Sequence, residues 1–167
     1  MPAGSLHRFL AEDHARLDAL LRRAVAAPDA LDLGAYAQFR GGLLRHIGME
    51  EKVLFPDARR RRGGEPLPVT RWLRADHSAL AALLVPTPTH ALLATMRDLL
   101  DEHNALEEAP GGPYEACDAL AGAAAEEVLA LLRAAPQVRQ AAHFDGPLAH
   151  EHIAQLLRAR RRPAGGS

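Results

Sequence analysis

One cysteine, Cys117, stands in the whole chain, which excludes an intramolecular disulfide, a thiolate metal cluster and a CxxC redox pair. Aromatic residues are scarce, at 4%. An apolar share of 48% must therefore fill the core largely with Ala and Leu, both strong helix formers. Neither charge sign dominates: 20 basic against 21 acidic residues give a net charge of −1. No global field then points to nucleic acid or to a membrane surface. No apolar run reaches the ~18 residues of a membrane span, and the opening MPAGSLHRFLAEDH has neither the basic nor the continuous apolar region of a secretory signal. The expectation is a cytoplasmic protein. Its 167 residues, 25% of them charged, suit one compact domain.

Strand signals are weak, whereas helix signals are strong and well punctuated. Helix A is predicted at 5–26, with Ser5 as N-cap and Pro28 closing it. Helix B follows from Asp32 to Pro56 and is succeeded by a solvated loop, RRRRGGEPLP. Helix C covers 69–85, the extended PTPT leads to a Thr89 cap, and helix D covers 90–108. PGGP at 110–113 is a break. An Ala-rich helix at 114–134 and a last one at 147–161 complete the chain.

The apolar stripe of each of the first four helices is interrupted by histidine. Helix A runs Leu10, His14, Leu17, Leu21, and helix B runs Tyr36, Phe39, Leu43, His46, Glu50. Helix C runs Val69, Leu73, His77, Leu80, Leu84, and helix D runs Leu92, Met96, Leu99, His103, Glu107. Steps of three and four residues define a buried seam, so these six polar side chains point inward. EDHARLDALL also aligns with ADHSALAALL, and HIGMEEK with HNALEEA, so a hairpin bearing H…HxxxE occurs twice. In an up-down-up-down bundle that duplication makes a two-fold related site. His14 and His46 both lie about 21 Å from the A–B turn. His77 and His103 differ in level by roughly 7–8 Å, which an extended PTPT must absorb.

A lone histidine on an apolar face is more often a satisfied core residue. Four imidazoles and two carboxylates on the seams of four successive helices are another matter, because buried charges without partners cost several kcal/mol each. Metal ions resolve that cost. Imidazole and carboxylate suit iron, manganese or zinc, and two carboxylates can bridge two cations in a helical bundle.

The series His14, His46-x-x-x-Glu50, His77, His103-x-x-x-Glu107 resembles the hemerythrin-like HHE domain family, and EDHARL, HIGMEEKVLFP and EHNALEE are similar to its helix signatures. The resemblance covers roughly residues 5–115. It implies an all-α, up-down-up-down four-helix bundle, here residues 1–113; residues 114–167 read as a C-terminal helical extension that packs on it or forms a dimer surface. It further implies two non-haem iron ions, carboxylate-bridged and joined by an oxo or hydroxo bridge, held by His14, His46, Glu50, His77, His103 and Glu107. The ligand would be O2, NO or peroxide, bound or sensed in oxidative or nitrosative stress. An enzyme reducing NO or peroxide is the alternative, and a non-catalytic bundle with zinc or no metal a third. The protein would be a monomer or homodimer with no nucleic-acid or membrane partner. Two departures stand out. Oxygen carriers of the family have an HxxxH pair in helix C, whereas Leu73 precedes His77 here. Pro110 also ends helix D just after Glu107, so that side of the site should be open to solvent.

Other residues receive plainer readings. Glu51 and Glu108 face about 100° away from the ligands, as surface residues or as outer partners to them. Tyr114, just past helix D, is within reach of the site, but packing is its plainer role; His7 caps or lies at the surface, and His90 is exposed. His150 and His152 point to different sides of one helix and cannot chelate together. Cys117 is a small buried apolar residue. RARRR at 158–162 is a solvated helix end, and 114–162 is not needed to make the site.

Overall fold

The computed structural model describes residues 3–160, and these are helical with no strand. The helices are α1 (Ser5–Ala24), α2 (Leu33–Met49), α3 (Phe55–Arg61), α4 (Thr70–Leu83), α5 (His90–Glu108), α6 (Pro113–Ala121), α7 (Ala125–Arg133) and α8 (Pro147–Ala159). No helix among the described residues is long and apolar enough to cross a membrane. Two of the caps follow the sequence. Asp32 accepts from the Ala35 amide at 2.9 Å and Thr89 from the Leu92 amide at 3.1 Å. The cap of α1 does not. Gly4, not Ser5, is the N-cap, and the carboxylate of Asp118 on α6 accepts from the amides of Leu6 and His7 at 3.0 and 2.9 Å. A Cβ on Gly4 would collide with that carboxylate, so a capping side chain there has no room.

Helix B differs most from expectation. After α2 the chain makes a π-turn, Glu50–Leu54, in which the Phe55 amide bonds back to the Glu50 carbonyl, and then continues as α3 through Arg61. Pro56 therefore does not end it. A proline in a regular helix collides with the carbonyl four residues back, and a widened turn just upstream relieves that clash. The first arginines of RRRR are helical, with Arg60 and Arg61 donating to Asp57. Gly63 (φ 71°) and Gly64 (φ 100°) then turn the chain as only glycine does readily. The expected helix at 114–134 is broken into α6 and α7 by a 3-10 turn at Gly122–Ala124.

Two apolar clusters form. One holds Leu17 and Leu21 of α1, Phe39 and Leu43 of α2, Leu80 and Leu83 of α4, and Met96 and Leu99 of α5. The other holds Leu6 and Leu10 of α1, with Met49, Leu54, Tyr114, Cys117 and Leu132. Along α1, α2 and the π-turn, the chain passes from one cluster to the other at the buried histidines and Glu50. The C-terminal segment is fastened to this body. α8 packs on α4 with Ile153 in the first cluster, and α6 and α7 lie against α1. Arg45 donates to the carbonyls of Arg133 and Ala135, and Arg40 to that of Ala141.

Candidate metal centre

All six seam residues converge. His14, His46, His77 and His103 are at most 6% exposed, and Glu50 and Glu107 are fully buried. Their ligand atoms form two groups: His14, His46, Glu50 and Glu107, and then His77, His103 with the same Glu50 and Glu107, each group lying within 4.8 Å. Both carboxylates belong to both groups. His14 and His46 rings lie 4.6 Å apart and those of His77 and His103 4.9 Å, so residues 84–89 absorb the level mismatch. Glu50 Oε2 is 2.9 Å from His77 Nε2, and Glu107 Oε1 is 3.0 Å from His103 Nε2.

The donors fit a cation better than they fit one another. Glu50 Oε2, Glu107 Oε1 and His77 Nε2 are buried without a hydrogen-bond partner, although the glutamate and histidine atoms are close. Their distance is that of a hydrogen bond but their orientation is not, as for lone pairs aimed at a shared point. An unsatisfied buried polar atom costs about 1–3 kcal/mol, and a cation satisfies all three.

Each imidazole is aimed by a carboxylate from a neighbouring helix. Asp13 of α1 meets His46 Nδ1 at 2.8 Å, and Glu51 of the π-turn meets His77 Nδ1 at 3.0 Å. Asp76 of α4 meets His103 Nδ1 at 3.0 Å, and Glu108 of α5 meets His14 Nδ1 at 2.5 Å. The four pairs close a ring, α1 to α2 to α4 to α5 and back to α1. A Nδ1–H donated outward leaves Nε2 as the lone-pair atom facing the centre. Glu51 and Glu108 are thus partners of the buried imidazoles, not idle surface charges. The signal in the sequence is that Asp13 and Asp76 share the 63-residue offset of His14 and His77, while Glu51 and Glu108 share the 57-residue offset of His46 and His103. Asp76 is held in turn by Arg160, whose Nε donates to it at 2.9 Å while Nη2 reaches Glu102 at 3.0 Å. Arg160 is therefore no solvated tail residue; residues 161 and 162 of RARRR lie outside the described residues. Replacing Asp76 or Asp13 by Ala is expected to weaken metal binding by about 10–100-fold, with the six ligand-type residues intact. Metal titration of each variant checks this, and wild-type affinity in both would dismiss the ring as incidental.

Tyr114 takes the less expected of its two sequence readings and approaches the site. It is fully buried, and its hydroxyl lies 3.0 Å from His14 Nε2 and 3.2 Å from His46 Nε2. It donates to Glu107 Oε2 at 2.9 Å and makes a short contact with Glu50 Oε1. Gly111 (φ 72°) and Gly112, where a Cβ would press on the Leu106 and Ala109 carbonyls, fold the chain back after α5. Segment 114–160 therefore does reach the site, and the side beyond Glu107 is plugged by a phenol instead of open to water. His7 packs edge-on against this ring at 5.8 Å.

Without a cation the site is strongly polarised. Burial alone would lower the His46 pKa, but the Glu50 charge and the bond to Asp13 outweigh it and hold it at about 10. His103 is likewise held at about 10, against burial, by Glu107 and Asp76. Burial tends to raise the Glu50 pKa, yet His46 and His77 bring it well below the usual carboxylate range. Burial, reinforced by the Glu107 and Glu50 charges, keeps the Tyr114 phenol well above its ordinary value.

The remaining candidates stay apart from the centre. His90 bonds the Ala27 carbonyl at 2.9 Å, His143 stacks on Tyr36, and His150 and His152 are exposed. Cys117 is buried in the second apolar cluster, and burial raises its thiol to about 12. Comparison with curated proteins and with solved structures found no match. A family model, that of the hemerythrin HHE cation-binding domain, matches residues 5–113. That span is more than half the chain and includes all six converging residues, so the chain belongs to the hemerythrin HHE cation-binding domain family.

Proposed function

We propose that the chain holds two non-haem iron ions bridged by Glu50 and Glu107 and binds a small diatomic ligand, O2 or NO, as a sensor, scavenger or store in oxidative or nitrosative stress. The observation that carries this reading is the pair of four-donor groups sharing both carboxylates. One ion would take His14 and His46, the other His77 and His103. An all-nitrogen-and-oxygen donor set without thiolate suits iron, whose exchangeable positions and accessible redox states are what a diatomic ligand requires. We further read α1, α2–α3, α4 and α5 as an up-down-up-down bundle, supported by the order in which α1 and α2 cross the two apolar clusters.

Ligand size follows from the space beside the histidines. A cavity of about 20 Å³ is lined by all four imidazoles and by Leu17, Leu21, Leu43, Ile47, Leu80 and Leu100. One water requires about 10–15 Å³, so the space beside the four imidazoles suits a molecule of two heavy atoms. Its polar lining, Asp18, Arg97, Asp101 and Asn104, is partly exposed, and Arg97 Nη2 lies 3.6 Å from Asp18 Oδ1. Its inner wall is aliphatic, and the ring of carboxylates fixes the imidazoles without lining the cavity.

Protein isolated from its own host is expected to contain two metals per chain, predominantly iron, and its reduced form to take up NO in anaerobic titration. A ratio near one, a preponderance of zinc, or no change in spectrum with NO would refute this reading.

A further inference from the structure

Tyr114 lies outside the H…HxxxE pattern, on a helix that follows the four ligand-bearing ones, yet its hydroxyl faces four ligand atoms of one half-site. Those atoms are His14 Nε2 at 3.0 Å, His46 Nε2 at 3.2 Å, Glu107 Oε2 at 2.9 Å and, in the short contact, Glu50 Oε1. None of its hydrogen bonds goes to His77 or His103. In an octahedral ion with bonds of about 2.1 Å, neighbouring donors are about 3.0 Å apart. The edges His14 Nε2–Glu107 Oε2 and His46 Nε2–Glu50 Oε1, at 3.3 and 3.4 Å, are of that kind. A phenolic oxygen about 3 Å from three of these atoms, and closer still to Glu50 Oε1, stands where a fifth donor adjacent to them would sit.

We infer that Tyr114 is a protein ligand to the metal held by His14 and His46, binding as phenolate. The inference rests on the metal-centre reading above and adds to it a donor from α6. On coordination the phenolic O–H bond breaks, a metal–oxygen bond forms and one proton passes to solvent, with no change of oxidation state. Phenolate is a hard oxygen donor of the class iron accepts. The position is built: the ring is fully buried, the Gly111–Gly112 turn aims it, and Asp118 four residues on ties α6 to the start of α1. The two half-sites then differ. The first has five protein donors. The second has four, with Leu73 one turn from His77 in place of another, and is the half open to an added ligand.

Ferric-loaded wild-type protein should show a phenolate-to-iron charge-transfer band in the visible, and excitation within it should enhance tyrosinate ring vibrations. Tyr114→Phe should lose both while retaining its iron, and Tyr36→Phe, at the only other tyrosine, should keep both. Ring-deuterated tyrosine in the wild-type chain should shift the vibrations, which gives a readout that needs no variant to fold. Iron uptake without the band and the tyrosinate vibrations overturns the phenolate ligand and leaves the metal centre standing. So does a band that survives in Tyr114→Phe. A wild-type protein that takes up no iron overturns the metal centre and the ligand together.

Discussion

Glu50→Ala and Glu107→Ala proteins are each expected to bind at most one metal per chain where the wild type binds two. The reason is topological. Each carboxylate offers one oxygen to the His14–His46 group and the other to the His77–His103 group, so one substitution removes a donor from both. Of each four-residue group three side chains then remain, Tyr114 apart. The loss of Glu50 has a second consequence. It is the charge that opposes burial at His46 and the close carboxylate that opposes it at His77. Removing one partner of a buried ion pair costs about 3–5 kcal/mol, so metal-free Glu50→Ala should also melt well below metal-free wild type. Glu50→Gln keeps the shape and removes the charge, and it should share the metal loss. Metal content after exhaustive dialysis, read beside thermal denaturation, checks both effects. Full occupancy in both alanine variants would mean that the carboxylates do not bridge.

Metal removal should expose a pH dependence of the opposite sense to that of ordinary acid denaturation. In the metal-free fold His46 and His103 have pKa values of about 10, against 6.5 for the side chain in an unfolded chain. A group whose folded pKa is raised adds stability that is complete below about pH 6.5 and is lost as pH climbs toward 10. His14 and His77 are raised too, despite burial, by Glu107 and Glu108 and by Glu50 and Glu51, and add in the same direction. Carboxylates act at the other end. Glu50, Asp13 and Asp76 are lowered in the fold, so their contribution is present above about pH 4–5 and is lost on acidification. Metal-free protein should therefore be most stable between about pH 4.5 and 6.5 and lose on the order of several kcal/mol by pH 10. Metal-loaded protein should behave differently, because coordination needs the neutral Nε2 and metal affinity rises as the imidazoles lose their protons. Chemical denaturation of both forms from pH 5 to 10 measures this. Metal-free stability that stays level from pH 6.5 to 10 would show that the imidazoles are not protonated in the fold.

The six converging residues were legible in the sequence because helical periodicity is local. A histidine at a seam position is marked by the leucines three and four residues away, whatever the helix packs against, and the duplicated hairpin marked it twice. Asp32 and Thr89 were legible for the same reason: each caps the helix that it begins. Glu51 and Glu108 were half legible. Their angle from the ligands could be read, but whether that angle meets water or a neighbouring imidazole depends on which helix stands beside which. The ring from Asp13 to His46, Glu51 to His77, Asp76 to His103 and Glu108 to His14 exists only once four helices are arranged around one axis. Tyr114 and Asp118 belong to tertiary structure altogether. No period links a tyrosine beyond a Pro-Gly-Gly-Pro break to histidines 68 and 100 residues away. Its place is set by a turn that needs two glycines and by a cap supplied from another helix. Local chemistry in this chain specified which residues are buried and polar. The long-range packing of α6 and α8 decided which further groups, a phenol and the guanidinium of Arg160, reach them.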